Sequence, residues 1–224
     1  MLVIFDLDDT LIDRSASLGP IKLKDALATM IKEGMQISSV DLAYEQLLSL
    51  DQTCTSGKNT IQTFCKSYGQ PQFQSFGINE YYGNIKVDNI EIPLMPDAIP
   101  TIEQLIQHDH KIVLVSHGDF VQQIKKMQKA KLDQSLFSEI HITPKRDKEL
   151  YYQKVLTKFS LTPDNAVVIG DSIQRDLIPA KNLGIKTIHM RHGRGKHIQY
   201  TPQTEPSFSI KSLKEVFDII DKIK

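Results

Sequence analysis

Short runs of apolar residues recur through the second half of the chain and predict buried strands. They lie in KIVLVSHGD (111–119), SEIHITPK (138–145), NAVVIGDS (165–172) and IKTIHMRHG (185–193). Continuous apolar runs of this length are typical of strands that helices cover on both faces. A similar run extends from Leu2 to Asp6, so we expect it to join the same sheet.

Helical patterns alternate with these runs. They extend over residues 120–130, 148–159 and 174–183, and Gly184 stands where the third helix would stop. Strands that alternate with helices favour a parallel sheet with right-handed crossovers. The sequence therefore predicts a doubly wound α/β fold.

Residues 15–91 follow a different pattern. Apolar positions recur there at helical spacing, and two of the helices are expected at 60–68 and 79–85. The segment PLMPD (93–97) marks a return to the sheet. We therefore predict a catalytic core formed by residues 1–14 and 92–224, with a helical domain inserted at 15–91. Residues 191–206 are expected to form a loop, and an amphipathic helix is expected from Ser212.

Composition narrows the classes of partner. The 224 residues are 40% hydrophobic, and 27 basic residues balance 27 acidic ones, so no overall field attracts nucleic acid or a membrane. No apolar run approaches membrane-spanning length. We expect a cytoplasmic monomer or homodimer without a nucleic-acid or membrane partner. Cys54 and Cys65 lack metal-type spacing and are expected to be reduced thiols.

Chemically active side chains follow the predicted strands. Asp6 and Asp8 come after the first, Ser116 after the second, Lys145 after the third and Asp171 after the fourth. Sites in open α/β sheets form beyond the carboxyl ends of the strands, so we expect these groups to meet. Three acids, a hydroxyl and a base suit a phosphate that is bound with a metal ion.

A phosphate monoester resists attack because it is already anionic, so a catalyst must neutralise its oxygens and hold a nucleophile in line. Mg²⁺ on Asp6 and Asp171 would neutralise charge. Asp6 would attack phosphorus, and Asp8 would protonate the leaving oxygen and then activate water. Ser116 would donate to a phosphoryl oxygen, and Lys145 would balance charge on Asp6 and the phosphate.

These residues resemble the four motifs of the haloacid dehalogenase (HAD) superfamily of phosphohydrolases. FDLDDTL is similar to its first motif, Ser116 in VLVSHGD to its second, Lys145 to its third, and GDSIQRD, with Asp171 and Asp176, to its fourth. The resemblance covers Leu2 to Ile188. The insertion is similar to the family's helical C1 cap, which closes over the active site and selects substrate.

The resemblance implies a role for each matched residue. Asp6 would be the nucleophile and Asp8 the general acid and base. Mg²⁺ would bind the side chains of Asp6 and Asp171 and the backbone carbonyl of Asp8. The supporting residues would be Asp176 at the metal site, Thr10 as a brace for the loop, and His117, whose backbone N–H would lie near the phosphate beside Ser116.

The third motif departs from the family pattern. Family members of this cap type often read Lys-Pro-Asp-Pro before a helical aromatic residue, whereas this chain reads KRDKELY, with Arg146 and Lys148 in the proline positions. Spacing to Tyr151 favours Lys145 as the motif lysine. Lys148 is the alternative.

The sequence therefore predicts Mg²⁺-dependent hydrolysis of a small phosphorylated metabolite. An EF-hand calcium loop is excluded, because Leu11 and Ser17 stand where that loop requires glycine and glutamate. Asp8 argues against dehalogenase chemistry, since halide displacement needs no acid there. A phosphomutase of the same fold and a non-catalytic phosphate or metal sensor remain alternatives.

Overall fold

A computed structural model describes residues 1–83 and 90–223. Over those residues the chain forms a six-stranded sheet of order β3-β2-β1-β4-β5-β6, and every neighbouring pair is parallel. The strands are β1 (Leu2–Phe5), β2 (Lys111–His117), β3 (Glu139–Thr143), β4 (Ala166–Gly170), β5 (Lys186–Met190) and β6 (Phe208–Ile210). The predicted doubly wound α/β class is confirmed.

β1 occupies the middle of the sheet. Each of its four residues is buried, and its Ile4 lies opposite Val113 of β2 and Val168 of β4. Such a strand needs apolar side chains on both faces, because helices cover both. The acids that follow β1 therefore emerge at the centre of the sheet's carboxyl edge.

The chain divides into two compact units, Met1–Arg14 with Glu91–Lys224, and Ser15–Ile90. We call them the core unit and the helical unit. The core unit contains the sheet and the helices α5 (Ala98–Gln107), α6 (Phe120–Lys129), α7 (Lys148–Phe159), α8 (Ile178–Asn182) and α9 (Glu215–Lys222). None of the helices that the structure describes is both long and apolar enough to cross a membrane.

The core unit differs from the sequence prediction in detail. β6, at the sheet edge, and α5 were not predicted. The helix predicted at 174–183 is divided, because a π-helical turn at Ile173–Leu177 precedes α8. Within the predicted loop 191–206, a short 3-10 helix spans Gly193–His197.

The helical unit has its own apolar interior. Its helices are α1 (Arg14–Lys32), which starts at the last core residue, α2 (Val40–Thr53), α3 (Gly57–Ser67) and α4 (Gln74–Tyr82). Leu27, Phe64 and Tyr81 are among the buried side chains that pack together there. α4 ends before the predicted stop of the helix at 79–85, and residues 84 and 85 lie outside the described residues.

Candidate active site

Backbone hydrogen bonds fix the acids after β1. The N–H of Asp6 donates to the carbonyl of Ile169 at 2.9 Å, which extends the β1–β4 pairing by one residue. The N–H of Leu11 then donates to the carbonyl of Leu7 at 2.9 Å, so the chain turns sharply. Asp8 lies within this turn, two residues beyond Asp6, as the sequence predicts.

Thr10 lies in the same turn and is fully buried. Its backbone N–H donates to the carbonyl of Leu7 at 3.3 Å. Its Oγ1 has no hydrogen-bond partner among the described residues. The bracing role of the hydroxyl stays a prediction.

The lysine that contacts Asp6 is Lys148. Its Nζ lies 2.6 Å from Oδ1 of Asp6 and 2.6 Å from Oδ1 of Asp176, and its side chain is 3% exposed. Lys145 is exposed; its carbonyl, rather than its ammonium group, takes part in local structure by accepting from Thr143 Oγ1 at 2.9 Å. The contact with Asp6 is therefore made by Lys148, the alternative, rather than by the preferred Lys145, and the catalytic role of the motif lysine stays a prediction.

The helical pattern explains why Lys148 points inward. Lys148 is the first residue of α7, and it shares the buried face of that helix with Tyr152, Val155 and Leu156. These positions are four, seven and eight residues apart, which is the spacing of one helix face. Lys145 precedes the helix and is not bound by that periodicity. The buried face of α7 therefore favours Lys148, although the spacing to Tyr151 favours Lys145.

The two acids of the fourth motif follow β4. The backbone N–H of Ser172 donates to Oδ2 of Asp176 at 3.0 Å, and the π-helical turn carries Asp176 back towards the strand. A Cβ at Gly170 would lie 2.6 Å from Cβ of Asp176, so the approach requires glycine. Carboxylate oxygens of Asp6, Asp171 and Asp176 lie within 4.8 Å of one another.

This cluster has more acids than nearby cations. Burial raises the pKa of Asp6 to about 7 even though Lys148 opposes the shift, and burial with the neighbouring Asp176 raises the pKa of Asp171 well above its ordinary value. Burial alone would lower the pKa of Lys148, but Asp176 and Asp6 together raise it. Lys148 contacts two of these three buried carboxyl groups, and Arg175 lowers the pKa of the third, Asp171, so three acids face two cations. An all-oxygen, anionic donor set with this charge deficit fits a hard divalent cation.

Ser116, at the end of β2, is buried and bonded to a residue that the sequence did not single out. Nε2 of Gln123 in α6 donates to Ser116 Oγ at 2.7 Å and to the carbonyl of His117 at 3.3 Å. Gln123 is itself buried. Gln123 lies four residues before the buried Met127, on the helix face that meets the core. This spacing was the signal in the sequence that Gln123 would be buried.

Asp8 also has a partner that the sequence did not single out. Nζ of Lys126 in α6 lies 2.9 Å from Asp8 Oδ1 and 2.7 Å from Asp8 Oδ2. Burial alone would raise the pKa of Asp8, but Lys126 and Arg14 outweigh it and lower that pKa. A charged residue on an amphipathic helix usually indicates a solvated face, so sequence alone gave no reason to select Lys126.

The His117 ring braces the loop after β3. Its Nδ1 lies 3.0 Å from the carbonyl of Thr143 and 3.1 Å from the carbonyl of Lys145, and because carbonyls only accept, Nδ1 is the donor. The predicted phosphate contact concerns the backbone N–H of His117 and stays a prediction.

Asp9 and Asp13 lie in a second polar group of the core unit. His192 Nε2 is 2.9 Å from Asp13 Oδ1, and ligand-type atoms of these two residues and of Asp9 lie within 4.8 Å of one another. Asp9 has a φ of 61°, a left-handed conformation that aspartate tolerates better than most residues. Asp9 and Asp13 therefore belong to the turn that leads out of β1.

A parallel sheet with a cluster of acids and a lysine at its carboxyl edge defines a doubly wound α/β enzyme core. A family model described as haloacid dehalogenase-like hydrolase matches residues 3–190. The chain belongs to this family, which confirms the resemblance drawn from its four motifs and identifies the protein as an enzyme.

Named relatives and a solved structure agree with this family. A glyceraldehyde 3-phosphate phosphatase from Pyrococcus furiosus is 25% identical, over 99% of this chain and 93% of that protein. The pyrimidine 5'-nucleotidase PynA from Streptococcus pneumoniae is 22% identical, over 98% of this chain and 94% of that protein. The putative HAD-hydrolase YfnB from Bacillus subtilis, in a structure bound to magnesium, superposes with a TM-score of 0.64 at 18% identity, over 98% of each chain.

Proposed function

We propose that the protein is a Mg²⁺-dependent phosphatase that hydrolyses a small phosphomonoester through an aspartyl-phosphate intermediate. One observation carries the proposal: buried Asp6 is held 2.6 Å from Lys148 within 4.8 Å of carboxylate oxygens of Asp171 and Asp176. A carboxylate so placed at a strand end is costly for stability and useful for nucleophilic attack. Family membership supports the same reaction class.

The metal would be held by the side chains of Asp6 and Asp171 and by the backbone carbonyl of Asp8. Asp176 would support the site through its bonds to Ser172 and Lys148. When bound, Mg²⁺ would neutralise charge on the phosphoryl group, whose oxygens would otherwise be repelled by the acids. The excess of carboxylates over cations in this cluster supports that assignment.

The chemistry would take two steps. In the first, a carboxylate oxygen of Asp6 forms a bond to phosphorus, the bond from phosphorus to the ester oxygen breaks, and the leaving oxygen takes a proton from Asp8. In the second, Asp8 accepts a proton from water, whose oxygen attacks the same phosphorus. The bond from phosphorus to Asp6 then breaks, the Asp6 carboxylate returns, and inorganic phosphate is released.

The remaining groups would bind the phosphoryl oxygens. Ser116 and the backbone N–H of His117 would donate to them, and Lys148 would carry the charge-balancing role predicted for Lys145. Lys148 is held by two carboxylates, so its ammonium group is already fixed where charge develops. Such preorganised donors stabilise a transition state without reorganisation during the reaction.

The helical unit would serve as the cap that selects the substrate. It is inserted between β1 and the rest of the core unit, as a C1 cap would be. The names of the relatives suggest triose phosphates and pyrimidine nucleoside monophosphates as first candidates, with sugar phosphates and phosphoglycolate beside them. A substitution within this unit that changes the order of preferred substrates would support the proposal, and an unchanged order across several substitutions would contradict it.

Phosphate release from these esters tests the proposed reaction, with Mg²⁺ and with a chelator. The native chain should release phosphate only with metal, and Asp6→Asn should lose at least about 10⁴-fold in kcat, because removing a covalent nucleophile abolishes its pathway. Asp164→Asn is the matched control, since Asp164 is an exposed acid of the core unit. Circular dichroism should show that both variants are folded.

Two outcomes would contradict the proposal. A folded native chain that releases no phosphate from any of the esters with Mg²⁺ would refute the phosphatase assignment. An Asp6→Asn variant as active as Asp164→Asn would refute the nucleophile assignment and leave the reaction class standing.

A further inference from the structure

Two donor side chains of helix α6 contact Asp8, in the turn that follows β1. Gln123 and Lys126 are three residues apart, so they share a face of the helix. Lys126 contacts both carboxylate oxygens of Asp8, at 2.9 and 2.7 Å, and the two side chains are 13% and 24% exposed. The pair is therefore partly buried, and its ammonium group is held on both oxygens of the acid.

Gln123 connects the same acid to Ser116. Its Nε2 lies 2.7 Å from Ser116 Oγ and 3.4 Å from Asp8 Oδ2. Gly118, with a φ of 151°, leaves room for this side chain, since a Cβ there would lie 3.2 Å from Cδ of Gln123. The Gln123 amide thus links Asp8, after β1, to Ser116 of β2.

The two oxygens of Asp8 are not equivalent in this arrangement. Oδ2 receives Lys126 at 2.7 Å and lies 3.4 Å from the Gln123 amide, whereas Oδ1 receives Lys126 at 2.9 Å. An ammonium group and an amide nitrogen can only donate. Oδ2 therefore accepts from two donors of α6 and Oδ1 from one, so a proton on Oδ1 competes with fewer of these contacts than a proton on Oδ2.

We propose that Lys126, supported by Gln123, is a positioning residue that turns Oδ1 of Asp8 towards the leaving-group oxygen. The inference rests on the proposed function, in which Asp8 protonates that oxygen. Lys126 would act through Asp8, whose two carboxylate oxygens it contacts. Its effect is to select which carboxyl oxygen delivers the proton while phosphorus passes from the ester oxygen to Asp6.

Leaving groups of different basicity separate this role from a merely structural one. An alkyl phosphate requires protonation of its leaving oxygen, whereas 4-nitrophenolate departs without it. The comparison uses kcat/KM, which reports steps up to the first irreversible one. Loss of Lys126 should therefore affect an alkyl ester far more than 4-nitrophenyl phosphate.

The test measures Lys126→Met, Lys126→Arg and Asp8→Asn on one alkyl phosphate substrate and on 4-nitrophenyl phosphate, with Mg²⁺. General acid catalysis contributes about 10²- to 10⁴-fold, so Lys126→Met should lose about 100-fold in kcat/KM on the alkyl ester and less than about 5-fold on the aryl ester. Lys126→Arg, which keeps the cation, should recover at least about tenfold of that loss. Lys129→Met is the matched control, since Lys129 is an exposed residue of the same helix.

Equal losses on both esters would overturn the inference, because they would indicate phosphate binding or folding rather than proton delivery. Unchanged or increased activity of Lys126→Met on the alkyl ester would overturn it as well. If Asp8→Asn shows no preference for the aryl ester, the acid role of Asp8 fails, and the inference fails with it. A native chain without turnover would instead point to the proposed function as the source of failure.

Discussion

The core unit and the helical unit bury polar groups in opposite ways. At the carboxyl edge of the sheet, the ionisable side chains of Asp6, Asp176 and Lys148 are buried together. In the helical unit, Thr60 is the polar residue buried among those that the structure describes, and its hydroxyl donates to Asp51 at 2.8 Å.

This contrast indicates which unit has a reactive interior. Burying charge opposes stability unless the charges are paired, so a cluster of ions in one interior indicates chemistry. An interior of Leu, Phe and Met side chains indicates packing, so the substrate selection that we propose for the helical unit would depend on its surface.

The largest difference should come from the two lysines of the core unit. Lys148→Met should reduce kcat/KM by at least about 100-fold, because it removes a preorganised cation from the reacting carboxylate. Lys145→Met should change it less than about twofold, because its ammonium group is exposed and its structural bonds use the backbone carbonyl. Steady-state assays with Mg²⁺ measure both, and a greater loss at Lys145 would contradict the role proposed for Lys148.

A smaller effect should distinguish close packing in the two units. Gly170→Ala would place Cβ 2.6 Å from Cβ of Asp176, and Gly57→Ala would place it 2.3 Å from a ring carbon of Tyr81. Overpacking should reduce the free energy of unfolding by about 1–3 kcal/mol in either variant. Only Gly170→Ala should also lower kcat on every ester, by about 10- to 100-fold.

Urea denaturation and the ester assays measure this pair. Gly57→Ala should retain kcat on 4-nitrophenyl phosphate while it alters the order of preferred substrates. A uniform loss of kcat in Gly57→Ala, equal to that of Gly170→Ala, would show that the two units do not divide the work in this way.

The smallest effect concerns thiol reactivity. Burial raises the pKa of Cys65 to about 11, so at pH 8 only about one molecule in a thousand carries the reactive thiolate. Cys54 is less buried and serves as the internal control. Alkylation followed by peptide mass spectrometry should label Cys54 in the native protein and Cys65 only after unfolding, whereas native labelling of both at equal rates would contradict a closed interior.

The neutral thiol of Cys65 also predicts a direction for stability. Because its pKa is raised in the folded chain, its contribution is present below the ordinary thiol pKa and is lost as pH rises towards about 11. Removing the thiol in Cys65→Ala should make the unfolding free energy less sensitive to pH between 9 and 11, and a steeper dependence would contradict this.

The sequence indicates which side chains of the candidate site follow strands. Asp6, Ser116 and Asp171 each come directly after a continuous apolar run, and the parallel sheet brings such ends to one edge. Spacing to Tyr151 favours Lys145, whereas the buried face of α7 favours Lys148. The short β6 (Phe208–Ile210) has too few residues for its pattern to differ from a loop.

The contacts made by α6 were beyond a single sequence for a different reason. Lys126 reaches Asp8 across more than a hundred residues of chain, and no local pattern encodes such a contact. A lysine in the last turn of an amphipathic helix is expected to be solvated, whether or not an acid lies within reach of its ammonium group. Which lysine of α6 contacts Asp8 depends on how that helix packs against the sheet.

The central place of β1 also has a consequence for synthesis on the ribosome. Leu2 of β1 pairs with Lys111 of β2 on one side and with Ala166 of β4 on the other. Both partners are translated after β1, so its pairing cannot be completed until they have left the ribosome. At about 5–20 residues per second, the interval before β4 is available lasts on the order of ten seconds or more. Asp6 is translated well before Ile169, so its backbone bond to that residue cannot form until β4 has been made.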